Sequence, residues 1–157
     1  MYQIEVKRNL IRHLFHPDNG WKVYVDLDSM EMANGGVHPN GKREAAVSCR
    51  QWMEGVGVKI GGHPVFGRTD IVASRDDGKT ILIEVEGDTS RQREQAMYSA
   101  LGQTILLMNT IGENHLYALA VPDDSQWERQ LLKIPKSVTG ILGLKLYLVS
   151  ESGVHEL

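Results

Sequence analysis

The sequence has few cysteines, no long apolar run and no strong excess of one charge. Its single cysteine, Cys49, excludes an internal disulfide and a multi-cysteine zinc site, and favours a reducing, cytoplasmic compartment. No apolar run approaches the roughly 18 residues that span a bilayer, so we expect no membrane partner. The start, MYQIEVKRNLIRHLF, mixes charges into its apolar residues and does not have the pattern of a secretory signal.

The net charge of −3 at neutral pH argues against a generally basic surface that coats nucleic acid. It does not exclude nucleic acid as a substrate, because a few lysines and arginines can position phosphates while catalytic acids dominate the sum. A hydrophobic content of 41% and a charged content of 24% are typical of a globular protein. The 157 residues are enough for one domain with a substantial core, so we expect residues 1–157 to form a single domain.

Segments of helical and strand periodicity alternate along the chain, separated by glycine and proline. From residue 42 onward the order is helix, three strands, helix, strand, helix, strand. This order predicts an α/β fold with a mixed central β-sheet flanked by helices. The helical patterns cover about 2–15, 41–57, 90–108 and 125–134, and the strand patterns cover 21–28, 56–62, 65–74, 79–87, 115–122 and 143–152.

Three acidic residues lie on two strand patterns that the turn RDDGK joins. Because residues two apart on a strand share a face, Glu84 and Glu86 in TILIEVEG lie side by side. If RDDGK closes a hairpin, Asp70 comes beside one of them. Three like charges repel and raise at least one pKa unless a cation neutralises them, and hard divalent ions prefer oxygen ligands. The pattern therefore predicts a divalent-ion site; a sheet edge with solvated carboxylates is the alternative.

The helical pattern over 90–108 carries a stripe of amides and a hydroxyl, in which Gln95, Ser99 and Gln103 follow Gln92 at intervals of three and four. Glutamine offers a donor and an acceptor without charge, which suits it to orient a water or a phosphate. An ordinary solvated helix face is the alternative. Gly102 in mid-helix costs about 1 kcal/mol relative to alanine, which is tolerable if the helix lies close against the sheet at that point. The apolar stripe expected to face the core consists of Met97, Tyr98, Leu101, Ile105 and Met108.

The segments GRTDIVA, ILIEVEG and SALGQTILL, in this order, resemble the core of the PD-(D/E)xK nuclease superfamily, which has the restriction-endonuclease-like fold. The resemblance implies an αβββαβ core over residues 42–121. Residues 1–41 are then an N-terminal extension of one helix and one strand. Two roles are open for this extension: it forms the contact of a homodimer, or it clamps the substrate. Residues 122–157 add a C-terminal helix and strand. The implied activity is metal-dependent hydrolysis of phosphodiester bonds in nucleic acid, with DNA favoured over RNA.

The resemblance also implies a ligand set for Mg²⁺ or Mn²⁺. Asp70, Glu84 and the backbone carbonyl of Val85 would hold the ion. Glu44, on the helix before the strands, falls where many such nucleases place an additional acid. Glu86 stands where the signature lysine is expected, which makes the site an E-x-E variant. In that variant Glu86 would orient or deprotonate the attacking water.

Further residues are implied around the metal. Gln103 in ALGQ falls where several families of the superfamily carry a helix glutamine that steadies the site. Nearby side chains could hold substrate phosphates, although solvated surface charge is the alternative for each of the basic ones. These candidate substrate-binding residues are Arg68, Lys59, Arg91, Arg93 and Gln95.

Two other functions remain as alternatives. The first is a catalytically inactive module of the same fold that binds nucleic acid or a protein partner, which Glu86 in the lysine position and the negative net charge favour. The second interprets VYVDLDSM as a phosphatase-like DxD, with Asp26 as nucleophile and Asp28 as acid. Acids at a strand end beside a turn are the simpler interpretation of that segment.

Overall fold

The computed structural model describes residues 1–88, 92–109 and 114–157, and within them a seven-stranded mixed sheet lies between two layers of helices. The predicted α/β class is confirmed. The strand order is β2-β1-β3-β4-β5-β6-β7. The helices are α1 (Gln3–Leu14), α2 (Lys42–Gly55), α3 (Arg93–Leu107), α4 (Ser125–Leu131) and α5 (Lys136–Leu142), and the strands are β1 (Lys22–Val25), β2 (Lys59–Ile60), β3 (Ile71–Ser74), β4 (Thr80–Val85), β5 (His115–Pro122), β6 (Leu144–Val149) and β7 (Val154–Glu156).

The alternation of side chains along β4 divides the interior into two cores. Ile81, Ile83 and Val85 pack in the core under α1 and α2, whereas Leu82 packs in the core under α3 and α4. This is the period of two that a strand imposes on its side chains. Glu84 therefore belongs to the α3 side of the sheet, at the end of β4.

The pairing of β3 differs from the predicted meander. β3 pairs antiparallel with β4 through RDDGK, as predicted, but its other neighbour is β1 and not the segment over 56–62. Gly57 and Gly61 in that segment have positive φ, which interrupts an extended conformation, so that β2 is a two-residue edge strand. Residues 1–41, predicted to be an extension, therefore contribute α1 to the core and β1 to the sheet that contains β3, β4 and β5.

The sheet-facing side of α3 also differs from the predicted stripe. Of the five predicted residues, Met97 is buried, but Tyr98 and Ile105 are 55% and 50% exposed. The buried residues are Met97, Ala96, Ala100 and Thr104, three of which are small and let the helix lie close to the strands. Gly102 is exposed, with nothing within 4 Å of the position its Cβ would take. Gly102 therefore does not pack against the sheet.

We expect Gly102→Ala to stabilise the protein. Alanine is about 1 kcal/mol more favourable than glycine in a helix interior, and here the added methyl group meets no neighbour. Chemical denaturation followed by circular dichroism should show a free energy of unfolding higher by about 1 kcal/mol. An unchanged or lower value would show that the glycine has a packing role in the folded protein.

The C-terminal part contains more elements than the predicted helix and strand. Beyond α4 and β6, the structure has the short helix α5 and the edge strand β7, which pairs antiparallel with β6. Among the residues that the structure describes, no helix has the length and apolar character needed to cross a membrane.

Candidate active site

Two carboxyl groups meet where β3 begins and β4 ends. Asp70 immediately precedes β3, and the hairpin register, which pairs Ile71 with Ile83, brings it beside Glu84. Both residues line a cavity of about 500 Å³ that opens to solvent. The structure thus brings together the two acids that the hairpin pattern was expected to join.

The Glu84 carboxyl group is kept neutral by its surroundings. Glu84 is buried, with 6% of its surface exposed. Burial above all, and then the charge and hydrogen bonding of Asp70, raise the pKa of Glu84 to about 9. At neutral pH Glu84 therefore carries a proton and hydrogen-bonds to Asp70. A bound cation would favour loss of that proton.

The Asp70 carboxylate is contacted by the backbone of β4 and by side chains of α1. The backbone N–H of Val85 donates to Asp70 Oδ2 at 2.9 Å, and Lys7 Nζ lies 2.7 Å from Asp70 Oδ1. Gln3, one helical turn before Lys7, donates from Nε2 to the carbonyl oxygen of Val85 at 2.8 Å and lies 3.4 Å from both Asp70 oxygens. The oxygen atoms of Asp70, Glu84 and Val85, which the resemblance assigns to the metal, are thus engaged by the Glu84 proton and by N–H groups of Gln3, Lys7 and Val85.

The approach of α1 to the site depends on Gly87. A Cβ on Gly87 would lie 2.2 Å from the backbone nitrogen of Gln3 and 2.7 Å from the carbonyl carbon of Tyr2. These are backbone atoms at the start of α1, so the helix itself would have to move. Gly87 therefore allows α1 to place Gln3 and Lys7 at the strand ends.

We expect Gly87→Ala to lower the free energy of unfolding by about 3 kcal/mol, because forcing a methyl group into a filled space displaces backbone. The measurement is urea denaturation beside Gly102→Ala, the same substitution at an open position, for which we expect the opposite sign. A stable Gly87→Ala protein would mean that α1 can shift without loss of packing.

Lys7 is fully buried, and oxygen atoms surround its ammonium group. Nζ lies 2.7 Å from Asp70 Oδ1, 2.8 Å from Glu31 Oε1 and 2.9 Å from Glu31 Oε2, and it donates to the Asp26 carbonyl at 2.7 Å. Burial by itself lowers the pKa of Lys7, but Asp70 and Glu31 raise it above its usual value. Burial has the opposite effect on an acid: it raises the pKa of Glu31 to about 6, although the charge of Lys7 lowers it.

The donor chemistry of the site fits a hard divalent ion. Asp70 and Glu84 offer carboxylate oxygens and Val85 offers a carbonyl oxygen, which are the ligand types that Mg²⁺ prefers. In the parts of the chain that the structure describes, no three His, Cys, Asp or Glu side chains form a ready-made metal cluster. Binding would therefore require the Glu84 proton to leave and the Gln3 amide to give way at the carbonyl.

Three other predicted residues reach the cavity. Glu86 is half-buried in its lining, and its backbone N–H donates to the Ala120 carbonyl. Gln103 reaches it from α3, with its amide 3.4 Å from Ser99 Oγ. Arg68 has a side chain that is 75% exposed and lies 3.0 Å from Asp26 Oδ2. Each occupies a position from which it can reach a substrate in the cavity.

Other predicted residues do not line the cavity. Glu44 is exposed in the first turn of α2 and lies outside the lining, although Lys42, the first residue of that helix, is part of it. Lys59 is on the edge strand β2, with its ammonium 3.3 Å from the Tyr24 hydroxyl. Gln95 is exposed on α3, one turn before Ser99, and is not part of the lining. Arg91 lies outside the residues that the structure describes.

Arg93 is engaged in a structural network. Its guanidinium lies 3.1 Å from Asp88 and 3.5 Å from Asp124, and 5.7 Å from the ring centre of Trp127. It also donates to the side chain of Gln126. These contacts join the start of α3 to α4 beside a second, larger cavity of about 670 Å³. The expected phosphate contact from Arg93 would compete with two carboxylates.

Sequence reasoning missed the contribution of α1. Lys7 falls three residues after Ile4 and three before Leu10, so helical spacing places it on the buried face, where a lysine needs a partner. That is the signal that could have identified it. Asp28 Oδ1 accepts the Glu31 N–H at 2.8 Å, so this aspartate caps a turn, as the simpler interpretation of DLD expects.

Comparison with solved structures finds two chains of similar overall arrangement. One is an FdxN element excision controlling factor protein from Anabaena variabilis, with 18% identity, a TM-score of 0.48, and coverage of 98% of this chain and 95% of that chain. The other is an XisH family protein from Nostoc punctiforme, with 18% identity, a TM-score of 0.47 and the same coverage. No protein-family model and no curated protein matches the sequence significantly.

Proposed function

We propose that the protein is a metal-dependent nuclease of the PD-(D/E)xK type that hydrolyses phosphodiester bonds, in DNA rather than RNA. The observation that supports this most is the Asp70–Glu84 carboxyl pair beside the Val85 carbonyl, at a cavity open to solvent. Burying two adjacent carboxyl groups opposes folding unless they share a proton or a cation. Such an arrangement is typical of a functional site.

Asp70, Glu84 and the Val85 carbonyl would hold Mg²⁺ or Mn²⁺. The ion would supply positive charge that polarises a phosphoryl oxygen and lowers the pKa of a bound water. Glu86, in the lining beside them, would accept a proton from the attacking water. Gln103 would orient the water or the scissile phosphate through its amide.

Arg68 is the basic side chain best placed to hold substrate at this cavity. It is largely exposed, and its contact with Asp26 is an ion pair near the surface, which contributes little to stability and can be exchanged for a phosphate. Phosphate contacts of this kind position the strand without reading its sequence.

An inactive module of the same fold is the second candidate. Glu86 stands in the position of the signature lysine, and Lys7 already neutralises Asp70 in this structure. On this alternative the carboxyl pair binds no divalent ion, and the cavity serves only to bind a partner.

The test is cleavage of end-labelled single- and double-stranded DNA and RNA with Mg²⁺ or Mn²⁺. We expect activity in the wild type and in Glu44→Gln, an exposed acid outside the cavity, and a loss of at least about 100-fold in Asp70→Asn and Glu84→Gln. Equal activity in all four proteins, or none in the wild type, would contradict the proposal. Calorimetry with Mn²⁺ separates the two candidates, since the inactive module predicts no binding that depends on Asp70.

A further inference from the structure

The surroundings of the Lys7 ammonium have the composition of a cation site. Four oxygen atoms from three residues, namely Asp26, Glu31 and Asp70, lie 2.7 to 2.9 Å from Nζ. They comprise a carbonyl oxygen, both oxygens of one carboxylate and one oxygen of another. Calcium and magnesium take the same oxygen ligands, at about 2.0 to 2.6 Å. A covalently attached cation therefore occupies a cage that a divalent ion could use.

We propose that the ammonium group of Lys7 is the built-in second cation of this site, which leaves room for one divalent ion and excludes a second. The inference deepens the proposed function, on which it rests for the first ion, held by Asp70, Glu84 and Val85. Lys7 is a positioning residue in this account: it sets the number of ions and fixes Asp70, while the exchangeable ion binds on the Glu84 side.

The exclusion follows from the sharing of Asp70. In two-metal sites the ions lie about 3.5 to 4 Å apart and share a carboxylate. A second ion bound to Asp70 Oδ1 would have to lie within about 2.6 Å of that oxygen. Its other ligands would be the oxygens of Glu31 and Asp26, and Lys7 Nζ already lies 2.7 to 2.9 Å from all of these oxygens, so the two cations would need the same space. Repulsion between their charges adds to the steric conflict.

The lysine is held so that a divalent ion does not displace it readily. Its three N–H groups face three acceptors, and the side chain has no exposed surface. Glu31 is itself fixed, because Asp28 donates its N–H to Glu31 Oε2 at 3.2 Å and accepts the Glu31 N–H on Oδ1. Gln3 is different: its amide has one short contact, to the Val85 carbonyl, and lies 3.4 Å from Asp70. The Gln3 side is therefore where an ion enters.

The lining of the cavity shows why more than one positive charge is needed. Seven acidic residues line it in the described structure, against two basic ones, Lys42 and Arg68. Lys7 lies behind this lining and contacts two of the acids, Asp70 and Glu31. Lys42 lines the cavity with its ammonium 5.8 Å from the ring centre of Tyr2, and it contacts neither of those acids through a described ion pair. Lys42 is thus a matched control for charge at this site.

The experiment is isothermal titration calorimetry of the full chain with Mn²⁺, comparing wild type, Lys7→Ala and Lys42→Ala. We expect one Mn²⁺ per chain in the wild type and in Lys42→Ala, and two in Lys7→Ala, whose emptied cage keeps the oxygens of Asp26, Glu31 and Asp70. Thermal unfolding with and without Mn²⁺ gives a second readout: the ion should raise the Tm of Lys7→Ala more than that of either other protein.

A double variant guards against misfolding. Lys7→Ala with Glu31→Gln removes both charges of the buried pair, so it should fold and bind one Mn²⁺, as the wild type does. If Lys7→Ala is unfolded without metal, refolding on addition of Mn²⁺ supports the proposal, and failure to refold while the double variant is folded overturns it.

The stoichiometries separate this inference from the proposed function. Two ions in the wild type, or one in both the wild type and folded Lys7→Ala, would overturn the inference and leave the nuclease proposal intact. No ion in the wild type would contradict the nuclease proposal. In that case a gain of one ion in Lys7→Ala still supports the role of Lys7, and no gain overturns it.

Discussion

Replacing Glu84 with glutamine is expected to raise the free energy of unfolding at pH 8 by about 2–3 kcal/mol while abolishing metal-dependent activity. The folded protein holds the Glu84 proton up to about pH 9, whereas the unfolded chain releases it near pH 4.5. Between these values the folded state binds more protons, so the stability of the wild type falls as pH rises through this window. Glutamine retains a neutral, hydrogen-bonding side chain and removes that dependence.

The expected magnitude is smaller than the pKa difference alone implies. One pKa unit corresponds to about 1.4 kcal/mol, which would give about 6 kcal/mol in full. At pH 8 only the interval between pH 4.5 and pH 8 contributes, and the cavity is open to solvent, so water relieves part of the penalty for ionising Glu84. We therefore expect half of the full value or less at pH 8.

Urea denaturation at pH 5, 7 and 9 without divalent ions measures this effect. The difference between Glu84→Gln and wild type should widen as the pH rises, whereas Glu44→Gln, exposed on α2, should follow the wild type throughout. Adding Mg²⁺ should stabilise the wild type and leave Glu84→Gln unchanged. A variant that is less stable than the wild type at pH 9 would show that the Glu84 carboxyl group is not held neutral by burial.

The acid pair was predictable because it depends on local geometry. Asp70 and Glu84 flank a hairpin, and the period of two along each strand, together with the Asp-Gly turn, fixes which side chains meet. The lysine that neutralises Asp70 is separated from it by more than sixty residues. Its position depends on the packing of α1 against the sheet and on its contact with the Asp26 carbonyl, for which no turn or spacing between the segments gives a signal.

The topology around β2 shows a second limit of prediction from sequence patterns. The pattern VGVKIGG has alternating apolar residues and predicts a strand as well as KVYV does. The glycines at 57 and 61 adopt positive φ in the folded chain, and the ladder that this segment forms with β1 contains two residue pairs. Of the residues of α2, only Lys42 lines the cavity, and Glu44 is exposed outside it. The spacing that gives the element order does not give the neighbours of each strand.

Hydrophobicity also predicted the wrong face of α3. A helix packed on a sheet needs small residues at the closest approach, and Ala96, Ala100 and Thr104 fill that role. Tyr98 and Ile105 are larger and more apolar, yet they are exposed. Of the amides and the hydroxyl predicted to share one side of this helix, Ser99 and Gln103 line the cavity and Gln95 does not.

Replacing Lys7 with methionine is expected to lower the free energy of unfolding by about 3–5 kcal/mol at pH 8, because the buried Glu31 and the partly buried Asp70 would lose their shared cation. The matched control is Lys133→Met, which removes an ion pair of similar length, 2.7 Å to Glu94, from a surface where both side chains are over 40% exposed. For that control we expect a loss below about 0.5 kcal/mol.

The effect of Lys7→Met should depend on pH in a defined direction. The pKa of Glu31 is already raised to about 6 with Lys7 present, and loss of the lysine charge raises it further. Protonation of Glu31 below that value removes one uncompensated charge from the variant, so its deficit relative to wild type should shrink between pH 8 and pH 5. Urea denaturation of both lysine variants at these two pH values measures the change. A deficit that is constant with pH would contradict this account, because the variant's loss would then not depend on the charge of Glu31.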